Sequence, residues 1–164
     1  MSSYKVALIT HEFPPYLIGG MASHCYDLAY SLSKKKISIT VFCGMAISPQ
    51  SEKINSYLRI VRLPLLNLPP RFLWFQIDNF KFLLKAINDY DIIHCVNPLA
   101  SGIFSFFGKK MKKIIVTTLH EIFLSDLKTL LTAPFSELTL GDLSIQGISY
   151  PINEFLIRTC LTNS

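Results

Sequence analysis

Charge is scarce in this chain. Only 16% of its 164 residues are Asp, Glu, Lys or Arg, while 50% are apolar and 12% aromatic. That balance excludes a disordered chain and implies a buried core. The four cysteines, Cys25, Cys43, Cys95 and Cys160, include no CxxC pair, so a zinc or redox motif has no support and buried reduced thiols are expected. No uninterrupted apolar run approaches the ~20 residues of a spanning helix, so any meeting with a membrane is expected at its surface. The opening Met-Ser-Ser-Tyr-Lys lacks the basic and then apolar stretches of a signal peptide, and the chain reads as cytoplasmic. GxGxxG is absent, as is GxxxxGK followed by Ser or Thr. The first absence removes a nicotinamide or flavin dinucleotide site, and the second removes an ordinary nucleotide triphosphatase. Cys43-Gly44-Met45 also stands where a dinucleotide oxidoreductase would carry an acidic residue after its second strand.

The length suits one α/β domain and is too short for two. Lys5 to Thr10 is a short apolar run of the kind that forms a strand buried on both faces. A loop with Pro14-Pro15 and Gly19-Gly20 follows. Met21, Cys25, Leu28 and Leu32 then recur at helical spacing, and the helix ends in Lys34-Lys35-Lys36. Further strands are expected over Ile37 to Cys43, Leu58 to Leu63, Asp91 to Cys95 and Ile114 to Thr118. Helices are expected from about Phe72 to Asn88, over Leu99 to Phe107, over Leu124 to Leu131 and over Ile152 to Leu161, with a loop from Pro134 to Ser149. Such alternation implies a Rossmann-like, mostly parallel sheet with helices on both faces and ligands at the carboxyl ends of the strands. Three places qualify: the loop after Thr10, the segment after His94 and the segment after Thr118.

The net charge of +5, with lysines grouped at 34–36 and 109–113, favours anionic partners without choosing among them. No basic stripe interleaved with stacking aromatics is present, so nucleic acid is not expected. In the first loop, Gly19 and Gly20 stand before a helix start, where free amides favour a phosphate or another anion. A tight turn that merely needs glycine is the competing reading. The segment from Pro64 to Lys85, with Trp74 and several Phe among Arg and Lys, suits a bilayer interface or a polyprenyl-linked acceptor. Core packing explains it equally well.

Three ordered segments carry a resemblance. Phe13-Pro14-Pro15, Gly19-Gly20 and the helix leading to Ile-Ser-Ile-Thr-Val look like the opening of the glycosyltransferase family 4 acceptor domain. Tyr90-Asp91-Ile92-Ile93-His94 is similar to the family's strand ending in Asp-hydrophobic-hydrophobic-His. Val116-Thr117-Thr118-Leu119-His120-Glu121 is similar to its Thr-x-His-Asp/Glu segment. The resemblance covers nearly all of residues 1–164 and implies the single N-terminal half of a GT-B fold, in which two Rossmann-like domains face each other. It implies transfer of a sugar, with retention, from a nucleotide-diphosphate sugar to a glycan or lipid-linked acceptor, with no metal and no other cofactor.

By that resemblance Gly19 and Gly20 lie beside a diphosphate or an acceptor phosphate, and His120 points into the cleft near the transferred sugar. Preorganised dipoles there would stabilise a transition state that is positive on the sugar and negative on the leaving group. A histidine bonding backbone at a strand end is the competing reading of His120. His94 is a substrate-binding candidate or a packed residue. Asn97 reaches a ligand or caps the helix that begins near Leu99. Glu121 orients His120 or is a solvated loop carboxylate, and Glu12 is read in the same way. The chain stops in what resembles the helix before the family's next strand, so the donor-binding half with its paired glutamates is expected from elsewhere, a separate chain included. The exposed edge this leaves is expected to favour association. A non-catalytic binding module or remnant that holds a glycolipid, sugar phosphate or partner protein is the alternative.

Overall fold

In the computed structural model, residues 4–15, 19–120, 132 and 149–164 are described. Six strands form one sheet: β1 (Lys5–Ile9), β2 (Ser38–Ala46), β3 (Gln50–Lys53), β4 (Leu58–Pro64), β5 (Ile92–Cys95) and β6 (Ile114–Thr117). Their order is β3-β4-β2-β1-β5-β6. Every neighbouring pair is parallel except β3 with β4. The apolar run of β1 is explained by its central place, with helices covering both faces of the sheet. Its alternation divides the core in two, Val6 and Leu8 on one side and Ala7 and Ile9 on the other.

The helix α1 (Gly20–Lys34) covers the first side, burying Cys25 and Ala29 against Val6, Leu8, Val41 and Ile60. The second side is covered by α2 (Arg71–Ala86), α3 (Pro98–Lys110) and α4 (Tyr150–Asn163). Each fully buried Leu, Ile or Phe in these layers contributes roughly 1.5–3 kcal/mol. The aromatic surplus of α2 is largely spent here. Phe72, Phe75 and Leu83 are buried, and Phe80 packs on Phe104 and Phe107. Phe82, still 44% exposed, meets Phe42 edge-on.

The helix ends explain the lysine groups. After α1, Lys36 adopts φ 61° while Ile37 N–H donates to the Leu32 carbonyl. After α3, Lys112 adopts φ 58° while Lys113 N–H donates to the Gly108 carbonyl. Both are Schellman-type stops with Lys where glycine is usual. The lysines also meet the negative ends of the helix dipoles. These ends lie beside the starts of β2 and β6, so the grouped positive charge sits at the sheet edge opposite the strand carboxyl ends.

The strand β3 departs from the sequence expectation. Gln50 to Lys53 is polar and wholly exposed, and an edge strand with neither face in the core leaves no hydrophobic signal. The helix expected over 124–131 and the loop over 134–148 lie outside the described residues. No helix among the described residues is long and apolar enough to cross a membrane.

Candidate active site

Strand order reverses between β1 and β5, since the chain leaves β1 toward β2 on one side and leaves β5 toward β6 on the other. The loops after these strands diverge and open a crevice at their carboxyl ends. Two ladder extensions and the segment after β5 place the candidate residues around it. The Thr10 amide donates to the Phe42 carbonyl at 3.0 Å and the Thr118 amide to the Cys95 carbonyl at 3.0 Å, while Asn97 follows β5 by two residues.

Asn97 does two things. Its Oδ1 accepts from the Leu99 amide at 2.9 Å, capping α3, which is the cap reading of the sequence. Its amide nitrogen therefore faces His11 Nδ1, at 3.5 Å. With Nδ1 accepting, His11 carries its proton on Nε2, which stands 3.3 Å from Glu12 Oε1. Asn97, His11 and Glu12 are all more than nine-tenths buried, so this chain of polar contacts ties β1 to β5 across the switch point. Gly44 makes room for it, since a Cβ there would lie 2.8 Å from the His11 carbonyl oxygen. Further out, Arg62 of β4 donates to the Pro14 carbonyl at 2.5 Å. Glu12 is thus a buried carboxylate held by histidine, not a solvated one.

Gly19 is the N-cap of α1, with an extended backbone and no capping side chain, and no acidic residue occupies the first turn. No described glycine has positive φ. A Cβ built on Gly19 or Gly20 meets no heavy atom of the described residues within 4 Å. Among the described residues neither backbone conformation nor packing calls for glycine at these positions, which weakens the tight-turn reading. Met21, the next residue, lines a small pocket of about 30 Å³ with Asn97, Pro98, Leu99, Leu119, His120 and Ile157.

His94 Nε2 lies 2.8 Å from Thr118 Oγ1. Burial, with smaller contributions from His24 and His120, pushes His94 down to about 4, so it is an uncharged residue between strand and helix. His120 is exposed at the pocket mouth, and its ring meets His24 edge-on at 4.7 Å between centroids. Burial and the neighbouring His24 lower its pKa. The structure thus brings Gly19, Gly20, Asn97, His94 and His120 to one end of the sheet. Glu121 lies outside the described residues. Sequence reading missed His24, although its place four residues after Gly20 puts both on one side of α1. It also passed over His11, which carries no signal without the fold.

The cysteines are free and buried. Burial raises Cys25 to about 11 and Cys43 to about 12, which keeps both as inert thiols. Among the described residues no three His, Cys, Asp or Glu side chains gather as metal ligands.

Comparison with known proteins then decides the family. The sequence model of Glycosyltransferase Family 4 matches residues 18–143. The chain belongs to glycosyltransferase family 4. An uncharacterized glycosyltransferase of Methanocaldococcus jannaschii, MJ1607, is 30% identical over 114 residues, covering 67% of this chain and 28% of that protein. Sucrose-phosphate synthase from Thermosynechococcus elongatus superposes with a TM-score of 0.58 at 18% identity, over 87% of this chain and 39% of that one. The second likeness shows the fold, one Rossmann-like half of a GT-B architecture. The family 4 chain spans well under two thirds of the length of either relative.

Proposed function

We propose that this family 4 chain is the acceptor-side half of a retaining glycosyltransferase, moving a sugar from a nucleotide-diphosphate sugar to an acceptor. The observation that carries the reading is the pairing of Gly19 and Gly20 with His120. Two glycines that none of the described residues requires adjoin a pocket whose mouth holds an imidazole kept below its ordinary pKa. The amides at the start of α1 are the groups that would meet a diphosphate, and no metal or other cofactor is invoked. Uncharged near neutral pH, His120 can accept from or donate to a sugar hydroxyl. His94 then holds the Thr118 hydroxyl and Asn97 the Leu99 amide, and Glu121 adjoins the histidine in sequence.

The donor-binding half belongs to the same proposal, supplied by a further segment or a separate chain. So does a lipid-linked acceptor at the cytoplasmic face of a membrane. Leu66 and Leu68, with Ile77 and Phe82 of α2, stay exposed near Lys81 and Lys85, which suits a bilayer interface.

The test is transfer of radiolabelled sugar from a panel of UDP- and GDP-sugars to membrane lipids, with the donor-binding half supplied. Transfer is expected to fall about 10²–10³-fold in His120→Ala, the effect of removing one preorganised donor. Unchanged transfer in that variant removes His120 from the mechanism. No transfer from any donor leaves a non-catalytic module that binds a glycolipid or sugar phosphate.

A further inference from the structure

Three histidines from three elements meet beside the pocket: His94 from β5, His24 from α1 and His120 from the segment after β6. His94 is held by Thr118. No hydrogen bond holds His120 among the described residues, and its ring contact there is with His24, edge to face with the planes at 71°. That geometry places the positive edge of one ring on the electron-rich face of the other. We propose that His24 is a positioning residue for His120, its ring on α1 setting the orientation in which His120 stands at the pocket mouth. The proposal rests on the role given to His120 above.

The surroundings agree with it. Among the described residues the titratable groups facing His120 are His24 from α1 and His94 from β5. The pocket residues from α3 and α4 are the uncharged Asn97, Pro98, Leu99 and Ile157, and Glu121 lies outside the described residues. Two imidazolium rings in contact repel, so the packing that orients His120 also disfavours its protonation. An exposed ring on a strand-end segment would otherwise rotate freely, and a hydroxyl bound there would meet it in the right orientation only part of the time.

The experiment is nuclear magnetic resonance on the chain with its histidine rings labelled with ¹⁵N, as wild type, His24→Phe and His24→Ala. Wild type should show Overhauser contacts between the ring protons of His24 and His120. In His24→Phe, which keeps a ring edge and removes a titrating group, His120 should stay ordered and titrate at higher pH. In His24→Ala its ring should lose order and titrate higher still. Absence of the ring contact in folded wild type overturns the proposal. So does a His120 titration and ring relaxation common to all three proteins. Far-ultraviolet circular dichroism reports that each variant is folded. If the alanine variant unfolds, the wild-type contact and the phenylalanine variant decide. Because the readout is spectroscopic, loss of the ring contact sinks the proposal whatever transfer does, and failed transfer alone leaves it standing.

Discussion

The glycines of α3 and those at the start of α1 are the same residue in opposite surroundings. A Cβ on Gly102 would lie 2.9 Å from the Leu156 carbonyl oxygen and 2.9 Å from its Cδ2, and one on Gly108 would lie 2.3 Å from Ile93 Cδ1. These glycines let α3 lie close against α4 and the sheet. Around Gly19 and Gly20 the same Cβ meets nothing among the described residues. Glycine in α3 therefore answers to the protein's own packing, while at the start of α1 no described atom stands where a side chain would be. Lys36 and Lys112 complete the contrast, since left-handed backbone would favour glycine there and the chain carries lysine.

The hardest test of that contrast is Gly102→Val. Leu156 backbone would have to move, and overpacking of this kind costs about 3 kcal/mol, to be read as a lowered urea midpoint. If stability is unchanged, the close contact of α3 with α4 is not what the glycine serves.

His94 bears on the same question, because it stands at the candidate site yet belongs to the packing. Its folded pKa of about 4 lies below the ordinary 6.5, so the unfolded chain takes up a proton first as pH falls. Stability should hold above pH 7, decline from about pH 6.5 to about pH 4 by roughly 2–3 kcal/mol, and level off below. Denaturation at a series of pH values, compared with His94→Gln, measures this. A decline that survives in the glutamine variant assigns it to another group.

Next in size is Lys112→Gly. Relief of the left-handed conformation should raise stability by about 1 kcal/mol, visible as a higher thermal midpoint, and Lys36→Gly should behave alike. No gain would mean that lysine contacts at the helix ends outweigh the backbone.

The smallest effect on stability belongs to Gly20→Ala, expected to stay within about 0.5 kcal/mol of wild type while lowering transfer in the assay proposed above. Destabilisation by more than about 1 kcal/mol, with transfer intact, would return Gly20 to the fold and dissolve the contrast.

Much of the architecture was legible beforehand because it is local. The apolar run of β1, the stripe Met21, Cys25, Leu28 and Leu32, and the β-branched runs of β2 and β6 carry their periodicity within a few residues. Placing ligands at the ends of β1, β5 and β6 followed from the alternation of strand and helix alone. The cap role of Asn97 was also readable, being a contact across two residues. By contrast, β3 gave no signal, because an exposed edge strand buries nothing.

Sequence by itself determined the α/β class, the two-sided core and the loops that could hold a ligand, since each depends on short-range patterning. Only the tertiary structure decided which residues share the site. It joined His11 to Asn97 and set His24 against His120, pairs separated by 86 and by 96 positions respectively. It also divided the glycines into those the packing needs and those it leaves free. Contacts at that separation depend on strand order and on the face each helix turns inward, and no local pattern encodes either.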